Sequence, residues 1–189
     1  MKRLAVYCGS SMGADPLFAD IARTLGVEMA RRGLDLVYGG GHRGLMGVVA
    51  DSVLAGGGKA YGVIPQALVD LEVAHTGLTE LHTVNSMHER KARMTELTDG
   101  FIAIPGGIGT LDELFEAWTW NALGYHSKPF CLLNVAGFWD RLIEFLDHVT
   151  TSGFMSPERR SQLLVASEIG EAIEMLDEAE KAAETRMVW

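Results

Sequence analysis

The amino-acid sequence predicts an α/β protein with a single-domain, Rossmann-like architecture, in which a doubly wound parallel sheet carries helices on both faces. Short apolar segments alternate with longer segments of helical period, which is typical of consecutive βαβ units. Glycine-rich loops follow several of the apolar segments, and 189 residues suffice for one domain with a substantial core. We therefore expect one domain over residues 1–180, followed by a C-terminal tail over residues 181–189.

Seven strands and six helices follow from the hydrophobic pattern. The strands are predicted over residues 4–8, 35–38, 60–64, 80–84, 101–104, 130–135 and 163–166. The helices are predicted from residue 16, over 44–54, from 86, from 110, over 138–149 and over 169–179. Asp15 and Pro16 supply the cap and first turn of the first helix. Ser86 and Glu89 have the spacing of a capping box at the start of the third helix.

Charge and composition exclude several classes of partner. The formal net charge is −9, so no broad basic field is present to attract a nucleic acid or an anionic membrane. The apolar segment near the start is too short for a signal peptide, and no segment has membrane-spanning length. Cys8 and Cys131 lie far apart in apolar segments, which predicts buried thiols rather than ligands. A cytoplasmic location is the simplest expectation.

Three glycine-bearing loops follow predicted strands one, two and five, at residues 9–11, 39–44 and 105–110. In a doubly wound sheet these loops meet at the carboxyl edge, where ligands bind. Glycine exposes consecutive backbone N–H groups, and a helix N-terminus adds a positive dipole end, so the loops suit a phosphate. Because no Walker A motif occurs and none of the loops supplies the complete dinucleotide-binding fingerprint, nucleoside triphosphates and NAD are disfavoured. Ser10 and Gly41 are candidate contacts of this phosphorylated ligand.

Two longer motifs make the prediction more specific. Residues 105–113 read PGGIGTLDE and match PGGxGTxxE, and residues 87–91 read MHERK and match an MHxRK element. Together they resemble the LOG family of cytokinin riboside 5′-monophosphate phosphoribohydrolases, which are often labelled lysine decarboxylases. The resemblance runs from Cys8 to Asn134 and so covers most of the chain.

The resemblance implies a set of site residues and partners. It implies that Arg90 and Glu113 are essential for catalysis. It also implies nucleotide contacts from Glu72, Arg90, Lys91, Gly107, Ile108, Gly109, Thr110, Leu111, Asp112, Glu113 and Thr119. The surroundings of Glu72 depart from the usual family segment, and Ile108 and Asp112 replace the Tyr and Glu of plant members, which affects base preference. A nucleoside monophosphate is the implied small-molecule substrate, with no cofactor, no metal and a homodimer or higher homo-oligomer.

The implied reaction is hydrolysis of the bond between a purine N9 and ribose C1′, through a transition state that resembles an oxocarbenium ion. A carboxylate near C1′ stabilises this charge or activates water, and Glu113 is the candidate. A position in the first helical turn would keep it ionised. The alternative is a purely structural role, in which Thr110 and Glu113 form a capping box. For Arg90, the alternative is a solvated arginine on a helix face.

Two other functions stay open at this point. A non-catalytic nucleotide-binding or carrier protein needs the same glycine loops but no carboxylate beside the ribose. A pyridoxal-phosphate lysine decarboxylase is disfavoured, because Lys91 is the only one of five lysines within a motif. His42, His75 and His88 lack metal-site spacing, and we expect them at the surface or hydrogen-bonded. The identity of the purine base is not fixed by these residues.

Overall fold

A computed structural model describes residues 1–71 and 73–186, with side chains to residue 183. Within this part of the chain, seven strands form one parallel sheet in the order β4-β3-β2-β1-β5-β6-β7. The strands are β1 Arg3–Tyr7, β2 Asp35–Tyr38, β3 Ala60–Pro65, β4 Glu80–Val84, β5 Gly100–Ala103, β6 Phe130–Leu133 and β7 Leu163–Ala166. All seven predicted strands are confirmed. The strand order reverses between β1 and β5, which is where a doubly wound sheet places its ligand.

The helices of the described residues connect these strands. They are α1 Leu17–Arg32, α2 Gly44–Ala55, α3 Gln66–Val69, α4 Met87–Leu97, α5 Ile108–Ala122, α6 Asp140–Thr151, α7 Pro157–Ser161 and α8 Ile169–Arg186. The sequence analysis missed α3 and α7, because helices of four and five residues are too short to show a period. Helix α8 continues past its predicted end at residue 179 and includes residues 181–186 of the predicted tail. Residues 187–189 lie outside the described residues.

Apolar side chains cover both faces of the sheet. On one face, Leu25 and Met29 of α1 pack with Val49 of α2 and Leu176 of α8. On the other face, the buried residues include Met94 of α4, Leu114 and Trp118 of α5, and Leu146 of α6. Parallel sheets need cover on both faces, so the two clusters confirm the predicted doubly wound architecture. None of the described helices is long and apolar enough to cross a membrane.

The starts of two helices follow their predicted caps. The Asp15 carboxylate accepts a hydrogen bond from the Leu17 amide at 2.9 Å, at the start of α1. At α4, Ser86 Oγ accepts from the Glu89 amide at 3.1 Å, which is half of the predicted capping box. The other half differs, because the Glu89 carboxylate accepts from the Asn85 amide at 2.8 Å. The cap fixes the first turn of α4 and therefore the direction of Arg90, which follows in that turn.

Candidate active site

The three glycine-bearing loops line one cavity of about 590 Å³ at the carboxyl edge of the sheet. This volume lies in the range of small-ligand sites. Gly9 connects the loops, because its amide donates to the Pro105 carbonyl at 3.1 Å and its carbonyl accepts from the Leu45 amide at 3.1 Å. The loop after β1 therefore lies between the starts of α5 and α2. The sequence prediction that these loops share one edge is confirmed.

Eight of the predicted site residues line this cavity. They are Ser10, Gly41, Arg90, Gly107, Ile108, Gly109, Thr110 and Glu113. Glu72 lies outside the described residues. The other four, Lys91, Leu111, Asp112 and Thr119, are not among the residues that line the cavity. Helical geometry explains this, because successive residues of a helix point in different directions and only one face of α4 or α5 meets the cavity.

The start of α5 differs from its prediction and removes the capping-box alternative. The helix begins at Ile108 with Gly107 at the N-cap position, two residues before the predicted start at Thr110. Thr110 Oγ1 is buried and has no hydrogen-bond partner in the described structure. A Cβ on Gly106 would come within 2.1 Å of this hydroxyl, so glycine is required there. Thr110 therefore does not cap the helix, and its buried hydroxyl has no hydrogen-bond partner among the described residues.

Glu113 lies in the second turn of α5 rather than the first, and this changes its charge. Its side chain is only 11% exposed. Burial raises the pKa of the Glu113 carboxyl to about 7, although the nearby Arg90 guanidinium opposes the shift. The prediction that the helix dipole keeps this group fully ionised was wrong, because the dipole acts mainly within the first turn and desolvation outweighs it. Near neutral pH, both protonation states of Glu113 are present.

Arg90 is buried and held in one orientation. Its Nε donates to the Val63 carbonyl at 3.0 Å, and its Nη2 donates to the Gly39 carbonyl at 3.2 Å. Its Nη1 lies 3.5 Å from Glu113 Oε1. A Cβ at Gly39 would come within 1.7 Å of the guanidinium, which explains the glycine at the end of β2. The alternative of a solvated arginine is therefore wrong, and Arg90 connects β2 and β3 to the carboxylate on α5.

The neighbouring ion pair faces away from the cavity. Lys91 Nζ lies 3.1 Å from Asp112 and also contacts Glu116, so it joins α4 to α5. Thr119 Oγ1 donates to the Phe115 carbonyl at 2.7 Å, farther along α5. Thr119 lines a separate cavity with exposed Phe154. Nucleotide contacts from Lys91, Asp112 and Thr119 are therefore not visible in the single chain.

The remaining reactive side chains have structural environments. Burial raises the pKa of the Cys8 thiol far above its ordinary value and that of Cys131 to about 12, so both stay protonated. His42 Nδ1 lies 3.0 Å from the Val73 carbonyl, and His75 Nε2 lies 2.9 Å from the Asp51 carboxylate. His88 lies 3.7 Å from Glu116. Among the described residues, no group of three or more His, Cys, Asp or Glu side chains is placed to hold a metal ion.

Several residues of the cavity were missed by the sequence analysis. Arg43 comes from the second glycine loop, and its signal was its position directly before Gly44. The apolar wall comes from Met46, Ile64, Leu68 and Val73. No short motif marks these side chains, because they converge only when α2, β3 and the segment around α3 pack together.

The fold and the cavity define a Rossmann-like protein with a glycine-lined cavity at the switch point of its sheet. Solved structures with this fold include the molybdenum cofactor binding protein of Rippkaea orientalis, with a TM-score of 0.71 and 22% identity over 93% of this chain and 95% of that one. The molybdenum cofactor carrier protein of Chlamydomonas reinhardtii matches with a TM-score of 0.69 and 18% identity over 94% and 96%. At these identities the likeness concerns the fold.

Sequence comparisons identify the family. A sequence-family model with the description "possible lysine decarboxylase" matches residues 46–176. The cytokinin riboside 5′-monophosphate phosphoribohydrolase LOG of Oryza sativa subsp. japonica is 45% identical over 188 residues, covering 100% of this chain and 78% of that protein. The cytokinin riboside 5′-monophosphate phosphoribohydrolase of Rhodococcoides fascians is 45% identical over 173 residues, covering 91% and 87%. The chain belongs to the LOG family, as its motifs predicted.

Proposed function

We propose that this protein hydrolyses the N-glycosidic bond of a purine nucleoside 5′-monophosphate, releasing the free base and ribose 5-phosphate. The substrate is AMP or an N6-modified AMP such as a cytokinin riboside monophosphate. The observation that carries the proposal is the buried Glu113 carboxyl beside Arg90 in a cavity lined by phosphate-type loops. The relatives at about 45% identity are phosphoribohydrolases, which supports the same reaction.

The start of α5 holds the 5′-phosphate in this proposal. Gly107, Ile108 and Gly109 line the cavity, and no side chain caps the helix, so its first amide N–H groups are available. The buried Thr110 hydroxyl adds a donor that has no other partner in the described residues. Ser10 faces the same space from the loop after β1. A phosphate bound here would satisfy several unpaired polar groups at once.

Glu113 acts on the ribose. As the C1′–N9 bond breaks, the base leaves with the bonding electron pair and takes up a proton from solvent, while the Glu113 carboxylate stabilises the positive charge on C1′ and accepts a proton from the attacking water. A pKa of about 7 suits a general base near neutral pH, because such a group is partly ionised and still basic. Arg90 is a positioning residue, since its two bonds to backbone carbonyls fix the guanidinium that faces the carboxylate.

The carrier and decarboxylase alternatives fit the cavity less well. A carrier gains nothing from burying a carboxyl beside an anionic ligand, where its ionised form adds repulsion. A pyridoxal-phosphate enzyme requires a lysine that reaches the cofactor. The lining of the cavity includes no lysine in the described part of the chain, and Lys91 is held by Asp112 and Glu116 outside it.

We further propose a cytoplasmic homodimer that binds neither nucleic acid nor membrane. Two buried free thiols are typical of a reducing compartment. The 88% exposed Phe154 side chain lies beside a groove at the far end of α5, where the buried Trp118 Nε1 has no partner. Such exposed apolar surface suits contact with a second subunit. Light scattering on the purified protein measures the oligomeric state directly.

Base release from a panel of nucleoside 5′-monophosphates tests the proposed reaction. We expect free base from AMP or an N6-substituted AMP, and much slower release from the matching nucleosides, because they lack the phosphate. Activity is expected to persist after EDTA treatment and without added pyridoxal phosphate. Equal rates on adenosine and AMP, or no release from any monophosphate, would contradict the proposal.

A further inference from the structure

We propose that Arg43 binds the 5′-phosphate of the substrate and sets the preference for nucleotide over nucleoside; this inference rests on the proposed function. Arg43 lies in the loop after β2 and lines the cavity. Its side chain is exposed, and no hydrogen bond or ion pair engages its guanidinium in the described part of the chain. No motif of the sequence analysis had assigned it a role.

The balance of charge in the cavity leaves Arg43 as its uncompensated cation. The charged side chains that line the cavity, within the described residues, are Arg43, Arg90 and Glu113. The Arg90 guanidinium is matched by Glu113 at 3.5 Å and bound to two backbone carbonyls. A phosphate monoester carries a charge of about −1.5 to −2 at pH 7. Arg43 supplies the positive charge that the glycine loops alone do not provide.

The packing of the loops brings the start of α2, which Arg43 directly precedes, close to the start of α5, where the phosphate is proposed to bind. A Cβ on Gly44 would lie within 2.3 Å of the Ser10 carbonyl carbon and 2.4 Å of the Ser11 amide, so the loop after β1 packs directly on the residue following Arg43. On its other side, a Cβ on Gly106 would lie 2.8 Å from the Gly9 amide. The same short loop therefore touches the starts of both α2 and α5.

A second feature of this position indicates a ligand. The buried Thr110 side chain, 3% exposed, lines the same cavity, and its hydroxyl has no partner in the described structure. Thr110 lies in the first turn of α5 and Arg43 directly precedes α2, so both line the cavity from the start of a helix. An arginine binds phosphate through two parallel charge-assisted hydrogen bonds, which a neutral hydroxyl and backbone amides do not replace. The arrangement matches a phosphate monoester better than a neutral ribose.

The kinetics of Arg43→Ala on AMP and adenosine test the inference. We expect KM for AMP to rise about 10- to 100-fold, because one charge-assisted contact is lost, with kcat within about threefold of wild type. The value of kcat/KM for adenosine should not change, so the preference for AMP falls by the same factor. Arg43→Lys should raise KM for AMP less than Arg43→Ala does, because lysine keeps the positive charge but not the bidentate geometry. Arg141→Ala is the matched control, because Arg141 is an exposed arginine on α6.

Binding of ribose 5-phosphate by calorimetry separates this inference from the proposed reaction. If wild type releases no base but binds ribose 5-phosphate, and Arg43→Ala weakens that binding at least 10-fold, the phosphate role of Arg43 stands and the reaction fails. Equal affinity in wild type and Arg43→Ala would overturn the inference. Equal losses of kcat/KM on AMP and adenosine would also overturn it, because a phosphate contact acts on AMP alone.

Discussion

Two adjacent pairs of residues on α4 and α5 have opposite environments. Arg90 and Glu113 face the cavity, with side chains 9% and 11% exposed. Lys91 and Asp112, each one residue away, form an ion pair on the outside, where Asp112 is 55% exposed. Both pairs join the same helices with opposite charges. The difference shows that a shift of one residue along a helix separates a pair that faces the cavity from an ion pair outside it.

The largest expected difference between the pairs is catalytic. Glu113→Gln should lower kcat on AMP at least ~10²-fold, because the carboxylate that accepts a proton and stabilises the oxocarbenium charge is lost. Asp112→Asn should keep kcat within a few-fold, because Asp112 does not line the cavity. Base release at saturating AMP measures both. Similar kcat values for the two variants would contradict the proposed catalytic difference between Glu113 and Asp112.

The second difference concerns stability. Arg90→Met should reduce the free energy of unfolding by about 3 kcal/mol at pH 8, because it leaves a buried carboxylate and two backbone carbonyls without their partner. Urea denaturation, compared with wild type at the same pH, measures this loss. A loss below about 1 kcal/mol would mean that the guanidinium is not held as the structure places it.

A third difference is the pH dependence of stability. The folded-state pKa of Glu113 is raised from 4.5 to about 7, so the folded protein binds this proton more tightly than the unfolded chain. The resulting stabilisation is fully present below about pH 4.5 and is lost as pH rises through 7. Glu113→Gln should therefore gain about 3 kcal/mol relative to wild type between pH 4.5 and 8. The control is Asp112→Asn, compared with wild type over the same pH range. A stability difference between Glu113→Gln and wild type that does not change with pH would contradict the raised pKa.

The smallest effect is expected from the outer pair. Asp112→Asn should cost about 1 kcal/mol or less at moderate salt, because Asp112 is 55% exposed and exposed ion pairs contribute little net stability. High salt should reduce the cost further, since exposed charges are screened. Urea denaturation at two salt concentrations measures both effects. A loss equal to that of Arg90→Met would show that burial does not distinguish the two pairs.

The sequence predicted the elements with strong local patterns. Seven strands and the three loops followed from apolar segments and glycine clusters, and two motifs singled out Arg90 and Glu113 through the family resemblance. The start of α5 was placed too late, because Thr110 and Glu113 have capping-box spacing although a glycine caps the helix. The charge of Glu113 was mispredicted for the same reason. The apolar wall, including Ile64 and Val73, depends on tertiary packing that no local pattern encodes.

The pH dependence of kcat on AMP tests most directly whether Glu113 carries out the chemistry. The active form is the carboxylate, and burial raises its pKa, so wild-type kcat should fall as pH decreases from 8 to 5, by a factor that approaches 10 per pH unit. The residual kcat of Glu113→Gln should show no such decrease over the same range. An identical decrease of kcat in the variant, or a wild-type kcat that is constant from pH 8 to pH 5, would contradict the account.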